Sequence, residues 1–287
     1  MKLIRFLSEN DQILYGLYEP ELQETARIVK GEGGLLGDFD VTPESARIKH
    51  LLPPLLPCNI LALGINYRKH ADETRTSYPA TPVIFMKATT SVIGHMAPIL
   101  LPMAGPEKVD YEAELAVIIG RKAKNISPSD AMNYILGYTC ANDVSARDWQ
   151  IEKQKKQWVR GKSFDTFCPL GPCLVTKDEI PDPHNLRIRT IINGITLQDS
   201  NTSDMIFNIP LVVSDLSRSM TLLPGTVILT GTPEGVGFTR QPPIFLKEGD
   251  MVTIAIEKIG QLTNPVKREV EDTGLRCDPL YDLSLQG

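Results

Sequence analysis

The sequence predicts a β-rich α+β fold, because short runs of β-branched or alternating apolar residues recur along most of the chain. Gly, Pro or Asn closes these runs, and strands do not alternate regularly with helices as they do in a parallel α/β sheet. The chain has 287 residues, 42% of them hydrophobic, which is enough to bury a substantial core. The predicted strands cover residues 59–64, 83–87, 109–120, 135–142, 186–193, 227–230 and 251–257.

Turn and helix signals complete this prediction. Asn193-Gly194 lies between two apolar runs, and both residue types tolerate the positive φ angles of a type I′ turn, so we expect a hairpin there. Residues 127–134 are predicted to be helical, with Ser127 as the N-cap and Pro128 at the first helical position. A second helix is predicted over residues 144–156.

A proline-rich segment divides the chain. Residues 51–57 contain three prolines, which exclude a regular helix and indicate a connector between two units. We therefore expect a small N-terminal domain over residues 1–52 and a main domain over residues 58–287.

Charge and composition narrow the possible partners. The net charge of −5 disfavours nucleic acid, whose phosphates require a surplus of Lys and Arg on one face. No stretch approaches the roughly 20 apolar residues of a membrane span. The N-terminus has no apolar segment typical of a signal peptide, so we expect a cytoplasmic protein. The five cysteines include no C-x-x-C pair, which indicates reduced thiols, mostly buried.

Two glutamates give the first indication of chemistry. Glu112 and Glu114 lie two residues apart in a predicted strand, where such side chains share one face. Adjacent carboxylates repel each other and resist burial unless a cation neutralises them. An edge strand with both glutamates in water explains the pattern equally well when the pair is taken alone.

A third acid favours the metal site. Asp143 follows the apolar run 135–142, which is predicted to be an inner strand, where an unpaired carboxylate would be costly. Three carboxylates without a histidine suit Mg²⁺ or Mn²⁺ better than zinc, and Ca²⁺ is a possible substitute. We therefore expect Glu112, Glu114 and Asp143 to bind one divalent cation.

Five segments in order carry a resemblance to a known family. They are residues 64–70 (GINYRKH), 111–114 (YEAE), 142–150 (NDVSARDWQ), 161–172 (GKSFDTFCPLGP) and 229–237 (LTGTPEGVG). Over about residues 58 to 266 the chain resembles the fumarylacetoacetate hydrolase superfamily, most closely its fumarylacetoacetate hydrolase domain-containing protein 2 subgroup. The resemblance implies a mixed β-roll around a Mg²⁺ site, in a protein that is usually a homodimer.

The resemblance also implies roles for individual residues. Glu112, Glu114 and Asp143 match the metal ligands of the family. Lys162 matches an active-site lysine that could pair with substrate carboxylate or enolate charge, although a surface lysine is the alternative.

Four more positions match residues that act on substrate. Arg147 and Gln150 lie one helical turn apart and could grip the substrate, unless they belong to an exposed helix face. His70 and Glu73 form an H-x-x-E pair in which the carboxylate could hold one imidazole nitrogen, and in the family this pair lies on a lid and moves a proton or activates water. A purely structural histidine is the alternative.

The segment 229–237 matches a loop that lines the substrate pocket of the family. Thr232 is the expected substrate contact in this loop. The segment lacks the G-x-G-x-x-G spacing of a dinucleotide site, and its proline would break the helix that must follow such a loop.

Together these residues imply an enzyme that stabilises the enolate of a small 2-oxo mono- or dicarboxylic acid. Enol–keto tautomerisation of oxaloacetate ranks first, because the motifs match the subgroup associated with it. The alternatives are C–C hydrolysis of acylpyruvates or other β-diketo acids, decarboxylation of oxaloacetate, and a catalytically silent metabolite-binding protein. Ile65 replaces an arginine typical of the acylpyruvate-cleaving branch, which removes a cation that could hold a long acylpyruvate.

Overall fold

The computed structural model describes residues 1–19, 24–104 and 107–270. The strands are β1 Lys2–Ser8, β2 Ile13–Leu17, β3 Thr25–Gly31, β4 Phe39–Leu52, β5 Asn59–Gly64, β6 Val83–Lys87, β7 Val92–Ile93, β8 Ile99–Leu101, β9 Val109–Asp110, β10 Ala113–Ile119, β11 Ile135–Asn142, β12 Ser145–Ala146, β13 Cys168–Thr176, β14 Arg187–Ile192, β15 Ile195–Asn201, β16 Thr226–Leu229, β17 Met251–Ile256 and β18 Gly260–Arg268. The α-helices are α1 Arg68–Glu73, α2 Val159–Lys162 and α3 Ile209–Ser219. Short 3₁₀ turns cover Gly34–Leu36, Thr89–Ser91, Ala131–Tyr134, Thr202–Asp204 and Gly237–Thr239, and Asp148–Lys153 forms a π-helical turn.

Most strands belong to one large mixed sheet. Its order is β2-β3-β4-β1-β13-β11-β10-β16-β5-β6, and β7 pairs with β13. A second sheet has the order β15-β14-β17-β18-β8, and β9 pairs with β12 in a small ribbon. Leu115 and Val117 of the large sheet share one buried apolar cluster with Ile188 and Ile254 of the second sheet. The two sheets therefore enclose a common core, as the predicted β-rich α+β class requires.

The first four strands pair in a closed circuit. β1 pairs with β2 and β4, and β3 pairs with both of those strands. The circuit joins the large sheet where Lys2 and Leu3 pair with Val175 and Leu174 of β13. The division into residues 1–52 and 58–287 stays a prediction, and residues 271–287 of the second unit lie outside the described residues.

Most strand predictions are confirmed, and the longest predicted run is the exception. The strands expected over residues 59–64, 83–87 and 135–142 have those bounds in the structure. Asn193 and Gly194 have φ angles of 50° and 81° and connect the paired residues Ile192 and Ile195, so the expected hairpin is confirmed. The run 109–120 is instead divided into β9 and β10.

The helix predictions are wrong in extent. Residues 127–134 form a turn followed by one 3₁₀ segment, Ala131–Tyr134. Ser127 Oγ does accept a hydrogen bond from Asp130 N, at 3.3 Å. This side-chain bond closes a local turn, an alternative to the helical backbone that serine and aspartate side chains offer.

The predicted helix over residues 144–156 is also absent from the structure. Ser145 and Ala146 form β12, opposite Asp110 and Val109 of β9, and the π-helical turn begins only at Asp148. Pairing with β9 gives this backbone hydrogen bonds that a helix would otherwise supply, so tertiary contacts override the local pattern.

The sequence analysis did not predict α2 or the longer helix α3. In α3 the Asn208 side chain accepts a hydrogen bond from Leu211 N at 3.0 Å, and Pro210 lies in the first turn. Both features are ordinary helix-start signals. No helix in the described part of the chain has the length and apolar character to cross a membrane.

The described cysteines carry free thiols, as expected from their number and spacing. Cys140, Cys168 and Cys173 are buried, whereas Cys58 is exposed. Cys277 lies outside the described residues.

Candidate metal centre

Two neighbouring strands bring the three predicted metal ligands together. Glu114 lies in β10 opposite Ala141 of β11, and Asp143 follows directly after β11. Glu112 precedes β10, and its carbonyl oxygen accepts a hydrogen bond from Asp143 N at 2.9 Å. Glu112 N in turn donates to the Asn142 side chain at 3.0 Å. The antiparallel register therefore places Glu112 and Glu114 beside Asp143, although Glu112 lies outside the strand.

The three carboxylates form a buried cluster. One oxygen from each of Glu112, Glu114 and Asp143 can be chosen so that all three lie within 4.8 Å of one another. Glu114 and Asp143 have 0% of their surface exposed, and Glu112 has 5%. Burial excludes the alternative of an edge strand with its glutamates in water.

Glu114 is the ligand whose charge is least compensated. Burial, together with the charges of Asp143 and Glu112, raises its pKa well above the ordinary value of a glutamate. Its Oε2 accepts a hydrogen bond from Gly231 N at 2.6 Å. Its Oε1 is buried and has no hydrogen-bond partner among the described residues. A buried oxygen without a partner is unusual, and a bound cation would satisfy it.

Two buried lysines hold the other two ligands. Lys162 Nζ donates to Glu112 Oε2 at 2.8 Å and to Asp143 Oδ2 at 2.7 Å. Burial opposes the charge on Lys162, but Asp143 and Glu112 raise its pKa, so the ammonium form persists. Lys87, at the end of β6, donates to Asp143 Oδ1 at 2.5 Å and to the Val144 carbonyl at 3.2 Å. Lys162 is thus no surface lysine, and Lys87 adds a second cation.

Arg147 and Gln150 lie beside Glu112. Arg147 Nη2 donates to Glu112 Oε1 at 2.6 Å, Nε donates to Asp110 Oδ2 at 2.9 Å, and Nη1 donates to Gln150 Oε1 at 2.9 Å. Arg147 is 5% exposed and Gln150 is 8% exposed, so these side chains do not lie on an exposed helix face. Burial would raise the pKa of Glu112, but the positive charges of Lys162 and Arg147 lower it below the ordinary value of a glutamate.

The H-x-x-E pair has the predicted geometry. His70 and Glu73 lie on α1, and His70 Nδ1 is 3.4 Å from Glu73 Oε2. Glu73 also accepts a hydrogen bond from Gly235 N, at 3.0 Å. Burial would raise the pKa of Glu73, but its hydrogen bonds, that of His70 foremost, lower it. Glu73 therefore stays anionic and fixes one nitrogen of the imidazole.

Thr232 is buried in the loop after β16, where Gln198 holds it. Gln198 Nε2 donates to Thr232 Oγ1 and to the Pro233 carbonyl, both at 2.9 Å. Gln198 Oε1 accepts from Ala113 N at 2.9 Å, between the two glutamate ligands. One amide side chain therefore fixes the loop of Thr232 against the strand of the metal ligands.

The sequence analysis did not single out Lys87, Asp110 or Gln198. The sequence showed only that Lys87 ends the predicted strand 83–87, whereas its burial, which requires a partner for the charge, became visible only in the structure. Asp110 is a third acid in the same short stretch as the two glutamates. Nothing in the sequence separated Gln198 from other strand glutamines.

The candidate metal centre lies within a segment that matches a known family model. The model for the C-terminal region of fumarylacetoacetate hydrolase matches residues 59–267, which include every candidate site residue. A solved structure described as 5-carboxymethyl-2-hydroxymuconate delta-isomerase from Mycobacterium smegmatis is 41% identical, with a TM-score of 0.81 over 94% of this chain and 100% of that one. The predicted roll-type fold is thereby confirmed.

Curated relatives carry names that specify a reaction and a compartment. Oxaloacetate tautomerase fahd2, mitochondrial, from Xenopus laevis is 51% identical over 77% of this chain and 69% of its own length. Oxaloacetate tautomerase FAHD2A, mitochondrial, from Homo sapiens is 45% identical over 85% and 77%, respectively. These names confirm the predicted subgroup.

They contradict the expected cytoplasmic location, because both relatives are named as mitochondrial. That expectation rested on the absence of an apolar signal segment, which does not test for import into an organelle. On the family match, the structural likeness and the two relatives together, this chain belongs to the fumarylacetoacetate hydrolase family.

Proposed function

We propose that this protein is a divalent-metal enzyme that interconverts the enol and keto forms of oxaloacetate. The observation that carries the proposal is the buried convergence of Glu112, Glu114 and Asp143 beside the ammonium group of Lys162. The names of the curated relatives support oxaloacetate as the substrate and tautomerisation as the reaction. The isomerase name of the structural neighbour supports an isomerisation as well.

The donor set fits a hard divalent cation. The three candidate ligands offer only oxygen atoms. Glu114 Oε1 is buried without a hydrogen-bond partner among the described residues, so a cation would satisfy it. We propose Mg²⁺, with Mn²⁺ or Ca²⁺ as substitutes, held by Glu112, Glu114 and Asp143. When bound, the ion would withdraw electron density from the 2-oxo group and carboxylate of the substrate and make its C3 protons acidic.

The balance of buried charge favours an anionic substrate. Four buried carboxylates face three buried cations; the carboxylates are Asp110, Glu112, Glu114 and Asp143, and the cations are Lys87, Arg147 and Lys162. A divalent cation would reverse this excess of negative charge. An anionic 2-oxo acid would then offset the positive charge, which a neutral ligand could not do.

We assign Lys162 to the stabilisation of negative charge on the substrate. An ammonium group has three N–H donors, and the described residues account for two of them, at Glu112 and Asp143. The third can donate to a substrate oxygen on which negative charge develops. Such a donor is already oriented before the reaction, so it stabilises the enolate without reorganisation.

His70 is the group that we assign to proton transfer. Glu73 binds its Nδ1, which leaves Nε2 to take a proton from C3 and deliver it to the C2 oxygen in the enol direction, and to carry the proton back to C3 in the keto direction. His70 is 8% exposed, so bulk water does not surround the imidazole. Glu73 orients the ring through two attachments, to His70 and to Gly235.

The wild-type protein should accelerate the decay of the enol absorbance of oxaloacetate when Mg²⁺ or Mn²⁺ is present. We expect a chelator to return the rate to that of the spontaneous reaction, because the charge stabilisation is lost with the ion. Assay of pyruvate in the same samples separates tautomerisation from decarboxylation. Accumulation of pyruvate at the catalysed rate would identify a decarboxylase, and no rate above background would identify a binding protein.

The contribution of the metal to stability should increase with pH. Because the pKa of Glu114 is raised in the folded protein, protonation of Glu114 stabilises the fold below the ordinary glutamate value of 4.5, and this stabilisation is lost as pH rises through the raised pKa. A bound cation replaces the proton. We therefore expect the difference in Tm between samples with Mg²⁺ and with chelator to widen as pH rises through the raised pKa of Glu114.

The matched control for this measurement is Glu114→Gln. The variant keeps the shape of the protonated side chain but cannot ionise. Its Tm in chelator should therefore not fall as pH rises through the pKa that Glu114 has in the wild type. A wild-type difference in Tm that is constant across the same pH range would contradict the assignment.

A homodimer remains the expected assembly. It follows from the family resemblance alone, and sedimentation of the purified protein would test it.

A further inference from the structure

We propose that Asp110 is a positioning residue that fastens the pocket loop, residues 235–238, to the metal ligand Glu112 through Arg147. The inference deepens the proposed function, since it rests on Glu112 being a metal ligand. Asp110 would contact neither metal nor substrate and would act through the two groups that it holds.

Four donors converge on the Asp110 carboxylate. Its Oδ1 accepts hydrogen bonds from Tyr111 N at 2.9 Å and Gly237 N at 2.8 Å. Its Oδ2 accepts from Phe238 N at 3.1 Å and from Arg147 Nε at 2.9 Å. Asp110 has no exposed surface. A buried carboxylate with four directed donors is held in a single orientation, so it can define the positions of the groups around it.

Arg147 extends this arrangement to the metal centre. The planar guanidinium binds Asp110 through Nε and Glu112 through Nη2, so one rigid group sets the separation of the two carboxylates. It also lies 4.4 Å from the centre of the Phe238 ring, which is part of the pocket loop. The oxygen of Glu112 that Arg147 does not bind faces Lys162.

The other end of the pocket loop binds the H-x-x-E pair. Gly235 N donates to Glu73, and the Gly235 carbonyl accepts a hydrogen bond from Tyr111 Oη at 3.1 Å. A continuous path of hydrogen bonds thus connects α1 to the pocket loop, then to Asp110, and then through Arg147 to Glu112. Asp110 belongs neither to the proposed metal ligands nor to the pair His70 and Glu73, yet this path between them runs through it.

Close packing explains why glycine occupies position 237. A Cβ atom there would lie 1.9 Å from the Ile244 carbonyl oxygen and 2.5 Å from Asp110 Oδ1. No larger residue could bring its backbone N–H to the carboxylate without displacing the chain. The last glycine of the segment 229–237 therefore serves the contact with Asp110, whereas Thr232 is the expected substrate contact of the same segment.

The decisive variant is Asp110→Asn in the full chain, with Mn²⁺ as the probe. Asparagine keeps the size of the side chain, but its amide N–H₂ would face donors such as Arg147 Nε or Phe238 N. We expect the Kd for Mn²⁺ to rise about 10- to 100-fold, as is typical when a partner of a metal ligand is lost. Amide hydrogen exchange across residues 235–240 should also accelerate, because the loop loses its anchor.

Arg147→Lys separates the connection of Asp110 to Glu112 from its connection to the pocket loop. Lysine keeps the positive charge but cannot bind Asp110 and Glu112 with one planar group. Affinity for Mn²⁺ should therefore fall, whereas exchange of the loop amides should change less than in Asp110→Asn, because Asp110 still accepts from Gly237 and Phe238.

Asp148→Asn is the matched control. Asp148 is also a buried carboxylate, at 6% exposure, but its ion pair is with Lys153 and not with the metal centre. We expect wild-type Mn²⁺ affinity and loop exchange in this variant, even if its Tm falls.

Wild-type Mn²⁺ affinity and wild-type loop exchange in folded Asp110→Asn would overturn the proposal. If Asp110→Asn does not fold, unchanged Mn²⁺ affinity in Arg147→Lys overturns it, and weakened affinity supports it. Neither measurement uses substrate, so a wild-type protein that binds Mn²⁺ but lacks tautomerase activity would refute the proposed function and leave the role of Asp110 standing.

Discussion

Glu114→Gln should abolish metal binding and reduce kcat/KM for oxaloacetate by at least about 10³-fold. The charge stabilisation supplied by a metal ion is worth several kcal/mol, and each 1.36 kcal/mol corresponds to about a tenfold change in rate. Glu114 Oε1 is the one buried ligand oxygen without a hydrogen-bond partner in the described part of the chain, so its replacement by an amide affects the cation most directly. Calorimetric titration with Mn²⁺ and the enol-decay assay measure the two effects.

The same variant should fold normally. Glutamine can still accept the hydrogen bond from Gly231 N, and it resembles the protonated glutamate that the raised pKa favours in the metal-free protein. The Tm in chelator should therefore be no lower than that of the wild type, whereas addition of Mg²⁺ should no longer raise it.

Asp199→Asn provides the control. Asp199 is exposed on β15, pairs with Arg187 and points to the opposite side of the strand from Gln198. It should bind Mn²⁺ and react as the wild type does. Retention of either metal binding or catalysis by Glu114→Gln would refute the proposed ligand set.

His70→Gln should reduce kcat/KM by about 10²- to 10⁴-fold, the range associated with loss of a general acid or base. Its affinity for Mn²⁺ should remain close to that of the wild type, because His70 is not among the three ligands. Glutamine can preserve a hydrogen bond to Glu73 but cannot transfer a proton near neutral pH. Steady-state kinetics and Mn²⁺ titration on the same preparation separate the two roles.

His95→Gln is the matched control for this prediction. His95 is partly buried, and its Nδ1 accepts a hydrogen bond from Thr263 N at 3.1 Å. His95 therefore satisfies a backbone N–H group and is not among the candidate site residues. Its replacement should leave kcat/KM near the wild-type value. Equal loss of metal affinity and activity in His70→Gln would contradict the assignment of His70 to proton transfer.

The sequence predicted which carboxylates lie together more accurately than it predicted the helices. Glu112 and Glu114 could be paired from strand periodicity, and Asp143 could be placed at the end of an apolar run, because both inferences use short-range geometry. The helix expected over residues 144–156 failed for the opposite reason. Its first residues pair with β9 across a gap of more than thirty positions, and local propensity does not record that pairing.

Arg147 shows the same limit at the level of a side chain. Its spacing from Gln150 indicated a shared face, and the two side chains do form a hydrogen bond. The spacing could not show that the Arg147 guanidinium also donates hydrogen bonds to Asp110 and Glu112. Whether Arg147 also reaches substrate remains a proposal, whereas its contacts with the two carboxylates follow from the fold.

By itself the sequence determined which carboxylates could bind a cation, since residue type and short-range spacing fix the available oxygen donors, and its resemblance to a known family indicated the substrate class. Only the tertiary structure decided how those side chains are charged and held. Lys87, Lys162 and Arg147 reach the carboxylates from separate parts of the chain. Burial makes these contacts strong, because a charge removed from water depends on the few groups that the fold places beside it.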